Sequence, residues 1–537
     1  MTAGVAGRRD LARATAGMTA LTLVARLTGL VRVLVVAAVL GTTFLGNTFQ
    51  SANSVSNLIF ELFAAGALQA AMIPTLVELL ARHDDAEAAH VAGSLLGLAA
   101  AVLAAVAGAG MLAAPWIMRV LVAGVESAEV RQAQIRLGTV LLWFFLPQVV
   151  LYAVGAVATG VLNARGRFAL PVAAPIANNV VVVGACWLFW RLRDGVSPGL
   201  DLTGAQTAVL GLGTTLGVLA LSAIPVVAVV RSGFSLRPRL DLAHAGVQRV
   251  LRRGGWAALF LVGTQVLLGV VLVLANGVEG GVVVYQVAYT LFLVPHALFA
   301  MPVLTALFPS LSRCAAAGDA ARYARGVVAG LAAIGFLVLP AAAVLAALAG
   351  PLSRVVLFGE SATAAAPVAA AVAAFAPGLF GYGTFVFLAR ALDARGDTRT
   401  PALVHLGVVA LAALAMVFLA PAVDGAGRVV VLAALHSLAY LSGAVVLGLR
   451  VWSWLPDDRP AVARPLAIGA GAAAVAGAVM WVGQQRLAGA GRVGDAVVVA
   501  AVGAVGAGVY LGARALLGGT HPSHVVAGLR QAGAPDG

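Results

Sequence analysis

The stretch "TLVARLTGLVRVLVVAAVLG", from Thr22 to Gly41, decides the fold class of this chain. Its length matches the roughly 20 residues that an apolar helix needs to cross a bilayer. Its interior nevertheless carries Arg26 and Arg32. An arginine at the bilayer centre costs at least ~2.5–3.5 kcal/mol on insertion scales. A spanning helix that keeps two of them needs a reason, and we expect that reason to be functional.

The rest of the chain has the composition of a polytopic membrane protein. Of its 537 residues, 61% are hydrophobic and 10% are charged, whereas a soluble domain has about 25% charged residues. All 34 basic residues are Arg, which indicates a GC-rich bacterial genome. The formal net charge of +13 fits a positive cytoplasmic face better than nucleic-acid binding, so we expect no nucleic-acid partner. The two cysteines, Cys186 and Cys314, fall in different segments and predict no disulfide.

Hydropathy predicts an all-α polytopic membrane protein with about 14 transmembrane helices and no additional soluble domain. The first apolar segment is too long, and too charged inside, for a cleavable signal peptide. The polar, Gly-rich end, residues 521–537, is expected to form a flexible cytoplasmic tail. The predicted spans are 17–41, 46–76, 91–114, 136–162, 168–190, 205–230, 255–276, 282–309, 326–349, 364–389, 400–421, 428–449, 464–484 and 494–517.

The distribution of Arg predicts the orientation in a bacterial plasma membrane. With both chain ends in the cytoplasm, most of the Arg residues between the spans lie on the cytoplasmic side, as the positive-inside rule requires. The loop Arg231–Arg253 carries six of them. We interpret this loop as a topology anchor with an amphipathic surface helix. The alternative is direct contact with an anionic substrate or with lipid headgroups.

The sequence contains an internal repeat. "LNARGRFALP" (Leu162–Pro171) matches "LDARGDTRTP" (Leu392–Pro401) at an offset of 230, and the same offset aligns Pro147 with Pro377. The repeat predicts two six-helix lobes of the same topology, followed by two further helices. Such two-lobed repeats are a transporter architecture, with the substrate path between the lobes. The predicted boundaries are 1–240 and 241–450 for the lobes and 451–520 for the two additional helices.

The two arginines of the first span are the leading candidates for a binding site. Arg26 and Arg32 lie six residues apart, which places their side chains about 120° apart around a helix. Both can therefore border one wide, water-filled cavity. A guanidinium is a planar fork of donors that suits a phosphate group. Snorkelling to a membrane surface is the alternative, and it suits Arg26 poorly, because apolar residues extend on both sides of it.

Polar residues on the second span add to this candidate site. Asn53, Asn57 and Glu61 recur every four residues and form one stripe along the helix. Asn47 precedes Asn53 by six residues. Such a stripe either joins helices or lines a binding site. Glu61 would pair with an arginine of the first span or titrate as a coupling carboxylate. In the second lobe, the corresponding helices carry Gln265, Tyr289 and Thr290 as candidate lining residues.

Motifs of enzymes and cofactor sites do not appear. The sequence has no P-loop, no HExxH and no GxSxG in a hydrolase context. We therefore expect a transporter without a catalytic residue, metal or cofactor. In the absence of an ATPase motif, a gradient or the downhill flux of the substrate would drive transport.

The first two spans resemble a known family. "ARLTGLVRVLVVAAVLG" and "NTFQSANSVSNLIFELFAAGALQAAMIPTLVE", within Ala25–Glu78, are similar to the first two helices of the MurJ/MviN lipid II flippases. These belong to the multidrug/oligosaccharidyl-lipid/polysaccharide exporter superfamily. "ALFPSLSR" (Ala306–Arg313) and "LARALDARGDTRTPALV" (Leu388–Val404) look like further segments of the family. The resemblance extends over nearly the whole chain, and we expect a divergent, actinobacterial member.

The resemblance implies a function and a site. The family moves lipid II, the undecaprenyl-pyrophosphate-linked peptidoglycan precursor, from the cytoplasmic to the outer leaflet. Helices one, two, seven and eight would line a central cationic cavity, and the lobes would rock between inward-open and outward-open states. Arg26 and Arg32 match the two arginines that the family places on its first helix. The implied partners are lipid II, membrane lipids and proteins of cell division or cell-wall synthesis.

Several cavity positions depart from the family pattern. Asn47 stands where many members have Asp, Phe60 and Glu61 stand where they have an Arg pair, and Thr290 stands where they have Arg. Three alternatives therefore stay open: an exporter of another polyprenyl-linked glycan, a drug or ion antiporter of the same superfamily, and a transport-inactive scaffold for cell-wall synthesis.

Overall fold

The protein is all-α in the part of the chain that its computed structural model describes, which confirms the predicted fold class. The described residues are 3–62, 67–241, 243–244, 246–248, 255–454, 459–487, 491–519 and 523. Their α-helices are α1 (Ala3–Leu40), α2 (Phe44–Phe60), α3 (Ala67–Ala81), α4 (Asp85–Leu121), α5 (Ala128–Phe145), α6 (Gln148–Ala164), α7 (Ala169–Leu192), α8 (Gly204–Arg231), α9 (Gly255–Asn276), α10 (Gly281–Pro295), α11 (Met301–Ala317), α12 (Ala320–Ala347), α13 (Ala349–Val356), α14 (Ala365–Ala394), α15 (Arg399–Leu419), α16 (Ala426–Trp452), α17 (Arg459–Arg486) and α18 (Gly491–Leu516).

Thirteen helical segments of the described residues are long and apolar enough to cross a membrane. They match thirteen of the fourteen predicted spans. The remaining one, 46–76, is described in two parts: α2 ends at Phe60 and is followed by π-helical Glu61 and Leu62, and α3 begins at Ala67. Residues 63–66, most of the "FAAGA" segment, lie outside the described residues. Large apolar side chains such as Leu411 and Phe418 are exposed on spanning helices, as lipid contact requires.

The chain divides into two compact units, Met1–Gln265 and Val266–Gly537. The finer division at residues 240, 450 and 520 stays a prediction. The predicted tail, 521–537, lies outside the described residues except for Ser523.

The turn between α6 and α7 has the same conformation as the turn between α14 and α15. Gly166 and Gly396 occupy the left-handed region, with φ of 72° and 82°, where a Cβ would be strained. In each turn the glycine N–H bonds the carbonyl three residues earlier, at 3.0 and 2.9 Å. The "ARG" of the two repeat segments is therefore a helix-ending turn that both units use.

The proline pair of the repeat also has a local structural counterpart. A proline lacks an N–H and disturbs the carbonyls of the turn before it. Before Pro147, the Phe144 carbonyl accepts from the Thr215 hydroxyl of α8 at 2.9 Å. Before Pro377, the Ala374 carbonyl accepts from the Ser437 hydroxyl of α16 at 2.8 Å. The two prolines differ in one respect, because Pro147 separates α5 from α6 whereas Pro377 lies inside α14.

The loop after α8, for which we predicted an amphipathic surface helix, is described only in part. Residues 232–241 are non-helical, and the described residues 246–248 are helical. The loop lies along α4, where the Arg239 N–H bonds the Gly93 carbonyl at 3.0 Å. His90 Nε2 lies 2.9 Å from Asp241 Oδ2, and Gly97 allows the backbone of the loop to approach α4 closely, since a Cβ there would lie 1.9 Å from the Arg239 carbonyl oxygen. Residues 242, 245 and 249–254 lie outside the described part.

Candidate functional site in the N-terminal unit

Arg26 and Arg32 have different surroundings on α1. Arg26 is exposed, whereas Arg32 is half-buried one and two-thirds turns further along the helix. Neither guanidinium forms a hydrogen bond or ion pair with the described residues. Arg32 lies within electrostatic range of Tyr152 on α6 and Cys186 on α7. The spanning helix therefore holds a partly buried cation without an ion-pair partner, which leaves its donors available to a ligand.

One face of α7 fixes the position of α1. Asn179, Cys186 and Arg193 follow at intervals of seven, close to two helical turns, so they share that face. The Asn179 amide donates to the Thr28 hydroxyl at 3.0 Å. At the other end, Arg193 Nη1 donates to the Val39 carbonyl at 2.8 Å. These bonds hold α1 on both sides of Arg32, which orients the guanidinium through the helix that carries it.

The polar residues of α2 differ in burial. Asn47 is completely buried, as are Thr48, Ser51 and Ser56. The Thr48 hydroxyl accepts from the Gln134 amide of α5 at 3.1 Å, and the Ser56 hydroxyl donates to the Phe145 carbonyl of α5. Burial places Asn47 in helix packing. The role of Asn47 in substrate binding stays a prediction.

The stripe Asn53, Asn57 and Glu61 is less completely buried. Asn53 is 9% exposed, and Asn57 and Glu61 are half-buried. The Glu61 carboxylate forms no ion pair within 4.0 Å with any described residue, so the pairing with Arg26 or Arg32 that we considered is not formed in this state. Glu61 lies instead within electrostatic range of Tyr152.

Tyr152 of α6 connects these groups, and we did not predict it from the sequence. Its hydroxyl donates to Asn57 Oδ1 at 3.1 Å. Its ring stacks on Phe60, with centroids 4.5 Å apart and an interplanar angle of 24°. Arg32 and Glu61 both lie within its electrostatic range. The repeat contained a signal for this residue, because the offset of 230 aligns Tyr152 with Tyr382.

The candidates from the second half lie in other surroundings. In the C-terminal unit, the Tyr289 ring lies 5.3 Å from that of His436 and 5.7 Å from that of Phe375. The Thr290 hydroxyl donates to the Gln286 carbonyl of its own helix at 2.7 Å. Gln265, half-buried on α9, is the last residue of the N-terminal unit. The structure thus brings Asn57 and Glu61 together with Arg32 around Tyr152, and it places Tyr289 and Thr290 in the other unit.

The N-terminal site combines one group that favours an anion with one that opposes it. The Arg32 guanidinium offers donors only, Asn57 and Tyr152 are neutral polar groups, and the Glu61 carboxylate is an acceptor. Among the described residues, no group of three or more His, Cys, Asp or Glu side chains is arranged to hold a metal ion.

The similarity to known proteins extends over most of the chain. The family model described as lipid II flippase MurJ matches residues 36–501. The chain belongs to the MurJ lipid II flippase family. The lipid II flippase MurJ of Burkholderia cenocepacia is 28% identical over 426 residues, which cover 78% of this chain and 80% of that protein. The probable lipid II flippase MurJ of Rhizobium tropici is 27% identical over 450 residues, 82% of each chain.

Solved structures of MurJ and of related transporters have the same fold. A MurJ structure in an inward closed conformation superposes with a TM-score of 0.73 and 17% identity, covering 93% of this chain and 99% of that one. An inward-facing multidrug transporter of the MATE family gives a TM-score of 0.64 and 13% identity, covering 81% and 96%. At these identities the structures establish the fold. The membership in the MurJ family rests on the sequence match.

Proposed function

We propose that this chain is a flippase that moves lipid II, the undecaprenyl-pyrophosphate-linked peptidoglycan precursor, from the inner to the outer leaflet of the bacterial plasma membrane. The observation that carries the proposal is Arg32, a half-buried cation on a spanning helix with no ion-pair partner among the described residues. Membership in the MurJ family supports the choice of cargo.

In the proposed mechanism, the site binds the charged part of the lipid while the polyprenyl chain stays in the bilayer. The Arg32 fork bonds pyrophosphate oxygens, and Asn53 and Asn57 supply neutral polar contacts to the headgroup. Arg26, which is exposed on the same helix, attracts the anionic headgroup electrostatically. We also propose that Gln265, Tyr289 and Thr290 contact the headgroup during transport, and that transport proceeds by alternating access between inward-open and outward-open states.

We further propose that both chain ends face the cytoplasm, in accord with the distribution of Arg. Membrane lipids surround the exposed apolar helices, and proteins of cell division or cell-wall synthesis are candidate partners. A different polyprenyl-linked glycan is the alternative cargo that Asn47 and Glu61 motivate.

Antiport of a cationic drug is a second candidate function, and the unpaired Glu61 carboxylate is the observation that favours it. The two functions differ in their dependence on charge. A pyrophosphate lipid needs Arg32, whereas a cationic drug needs Glu61.

The experiment is growth complementation in cells depleted of their native flippase, with resistance to cationic compounds scored in parallel. We expect the wild-type chain to restore growth and Arg32→Ala to fail at equal membrane abundance. Loss of drug resistance in Glu61→Gln, with no complementation by the wild type, would instead support antiport. Complementation that survives Arg32→Ala would support a scaffold.

A further inference from the structure

Tyr152 makes two contacts that together fix its own position and that of Asn57. The stacked Phe60 ring, 4.5 Å away, restricts the tyrosine ring. The hydroxyl donates its proton to Asn57 Oδ1 at 3.1 Å. Phe60 and Asn57 lie three positions apart on α2, so they are neighbours on its surface. The α2–α6 contact at this level is therefore a defined polar arrangement and more than apolar packing.

The direction of this hydrogen bond determines what Asn57 can offer to a ligand. A carboxamide carries an oxygen that only accepts and an NH₂ group that only donates. Because the tyrosine proton occupies one of the two acceptor sites of the oxygen, it fixes which end of the amide faces Tyr152. No described residue accepts a hydrogen bond from the NH₂ group. Without the hydroxyl, either end of the amide could face a ligand, since the two ends have almost the same shape.

A pyrophosphate oxygen can only accept hydrogen bonds, so an amide oxygen facing it is repulsive. Arg32, which lies within electrostatic range of Tyr152, has five N–H donors and no acceptor. Around Tyr152, the guanidinium of Arg32 and the amide nitrogen of Asn57 therefore both donate hydrogen bonds, beside the Glu61 carboxylate, which lies within the same electrostatic range. The two donors favour an acceptor-only, anionic group.

We propose that Tyr152 is a positioning residue for the pyrophosphate headgroup, acting through Asn57, whose amide it holds in the donor orientation. The proposal rests on the proposed function and adds a residue to it. Tyr152 does not bond the cargo itself, and its effect depends on Asn57.

The test is a double-mutant cycle on lipid II binding by the purified full-length protein in nanodiscs. Tyr152→Phe keeps the stacking on Phe60 and removes only the hydroxyl. We expect it to weaken lipid II binding about fivefold to tenfold, the size of one hydrogen bond. Asn57→Ala should weaken binding to a similar degree, and Tyr152→Phe should have no further effect in the Asn57→Ala background. A merely structural hydroxyl would not give this coupling.

A matched control removes a tyrosine hydroxyl elsewhere. The Tyr323 hydroxyl donates to the Ala391 carbonyl at 2.6 Å in the C-terminal unit, and Tyr323→Phe should leave lipid II binding unchanged. Thermal melting of each variant checks that it is folded. Asn57→Asp provides a second measurement, because an acceptor-only side chain should weaken binding even when Tyr152 is present.

The outcomes separate this proposal from the function on which it rests. Binding that requires Arg32 but is unchanged by Tyr152→Phe, or effects of the two substitutions that simply add, would overturn the role of Tyr152 alone. Failure of the wild type to bind lipid II, or equal binding by Arg32→Ala, would overturn the proposed function and this role with it.

Discussion

Arg32 and Glu61 are opposite charges on neighbouring helices, and in this state they do not pair. Both lie within electrostatic range of Tyr152, so each contributes to the potential at the same place. A carboxylate close to a phosphate site opposes anion binding, whereas the guanidinium favours it. The effect of Glu61 on affinity therefore has opposite signs for an anionic lipid and for a cationic drug.

We predict that Glu61→Gln tightens lipid II binding roughly threefold to tenfold, about 0.7–1.4 kcal/mol, because it removes a negative charge and keeps the shape of the side chain. The measurement is lipid II titration of the two full-length proteins at the same ionic strength. Raising the salt concentration should reduce the difference. Weaker binding by Glu61→Gln would mean that the carboxylate contacts a donor of the headgroup.

At the scale of elements, the best-defined contact outside the site is that between α4 and the loop after α8. Gly93 and Gly97 lie so close to the loop backbone that there is no room for a methyl group. His90 joins the loop through Asp241 and through Arg239, whose Nη1 lies 2.8 Å from His90 Nδ1. Residues 239 and 241 of this loop are thus held on α4 by backbone and side-chain bonds.

We predict that Gly97→Ala releases this loop. The new Cβ would lie 1.9 Å from the Arg239 carbonyl oxygen, a backbone atom that cannot move away without the loop. Trypsin should then cut after Arg239 several times faster than in the wild type. Gly108→Ala is the matched control on the same helix, because its Cβ would meet nothing within 4 Å. Equal cleavage of both variants would contradict this close contact.

The loop should also respond to acid through Asp241. The hydrogen bond from His90 lowers the pKa of this carboxyl below its usual value of 3.8. A lowered pKa means that the ionised carboxylate stabilises the docked loop above pH ~4, and that this stabilisation is lost as pH falls through the lowered pKa. Hydrogen exchange at the Arg239 amide should therefore rise below pH ~4 beyond its intrinsic pH dependence. Asp241→Asn should remove that excess, and an excess that persists in this variant would exclude Asp241 as its source.

These elements differ in how far the sequence could predict them. Hydropathy located the spanning helices because each is a long apolar run. It could not locate the π turn at Glu61, since the apolar run continues through residues 62–76 without a proline until Pro74. Hydropathy also could not place residues 232–241 against α4, because their partners, His90 and Gly93, lie on a distant part of the chain. Contacts between distant positions carry no local pattern.

At the scale of the whole molecule, the chain consists of two units that share the same helix-ending turns and the same hydrogen bonds beside their prolines. Gly166 and Gly396 end helices in the same way, and a hydroxyl satisfies a carbonyl before each proline. The repeat was visible in the sequence at these positions because turns and prolines require particular residues. The site residues do not follow it: Tyr152 bonds Asn57, whereas the ring of Tyr382 lies 4.5 Å from that of His296. The units share a scaffold and differ in their polar chemistry.

The central claim is that Arg32 serves the translocation of lipid II. It is tested most directly by measuring lipid II at the outer leaflet, with an impermeant probe, in cells depleted of their native flippase. We predict that the wild-type chain restores exposure and that Arg32→Ala, present in the membrane in the same amount, reduces it at least tenfold, the loss of about 1.4 kcal/mol of interaction. Exposure that the wild type does not restore, or that Arg32→Ala restores equally well, would contradict the account.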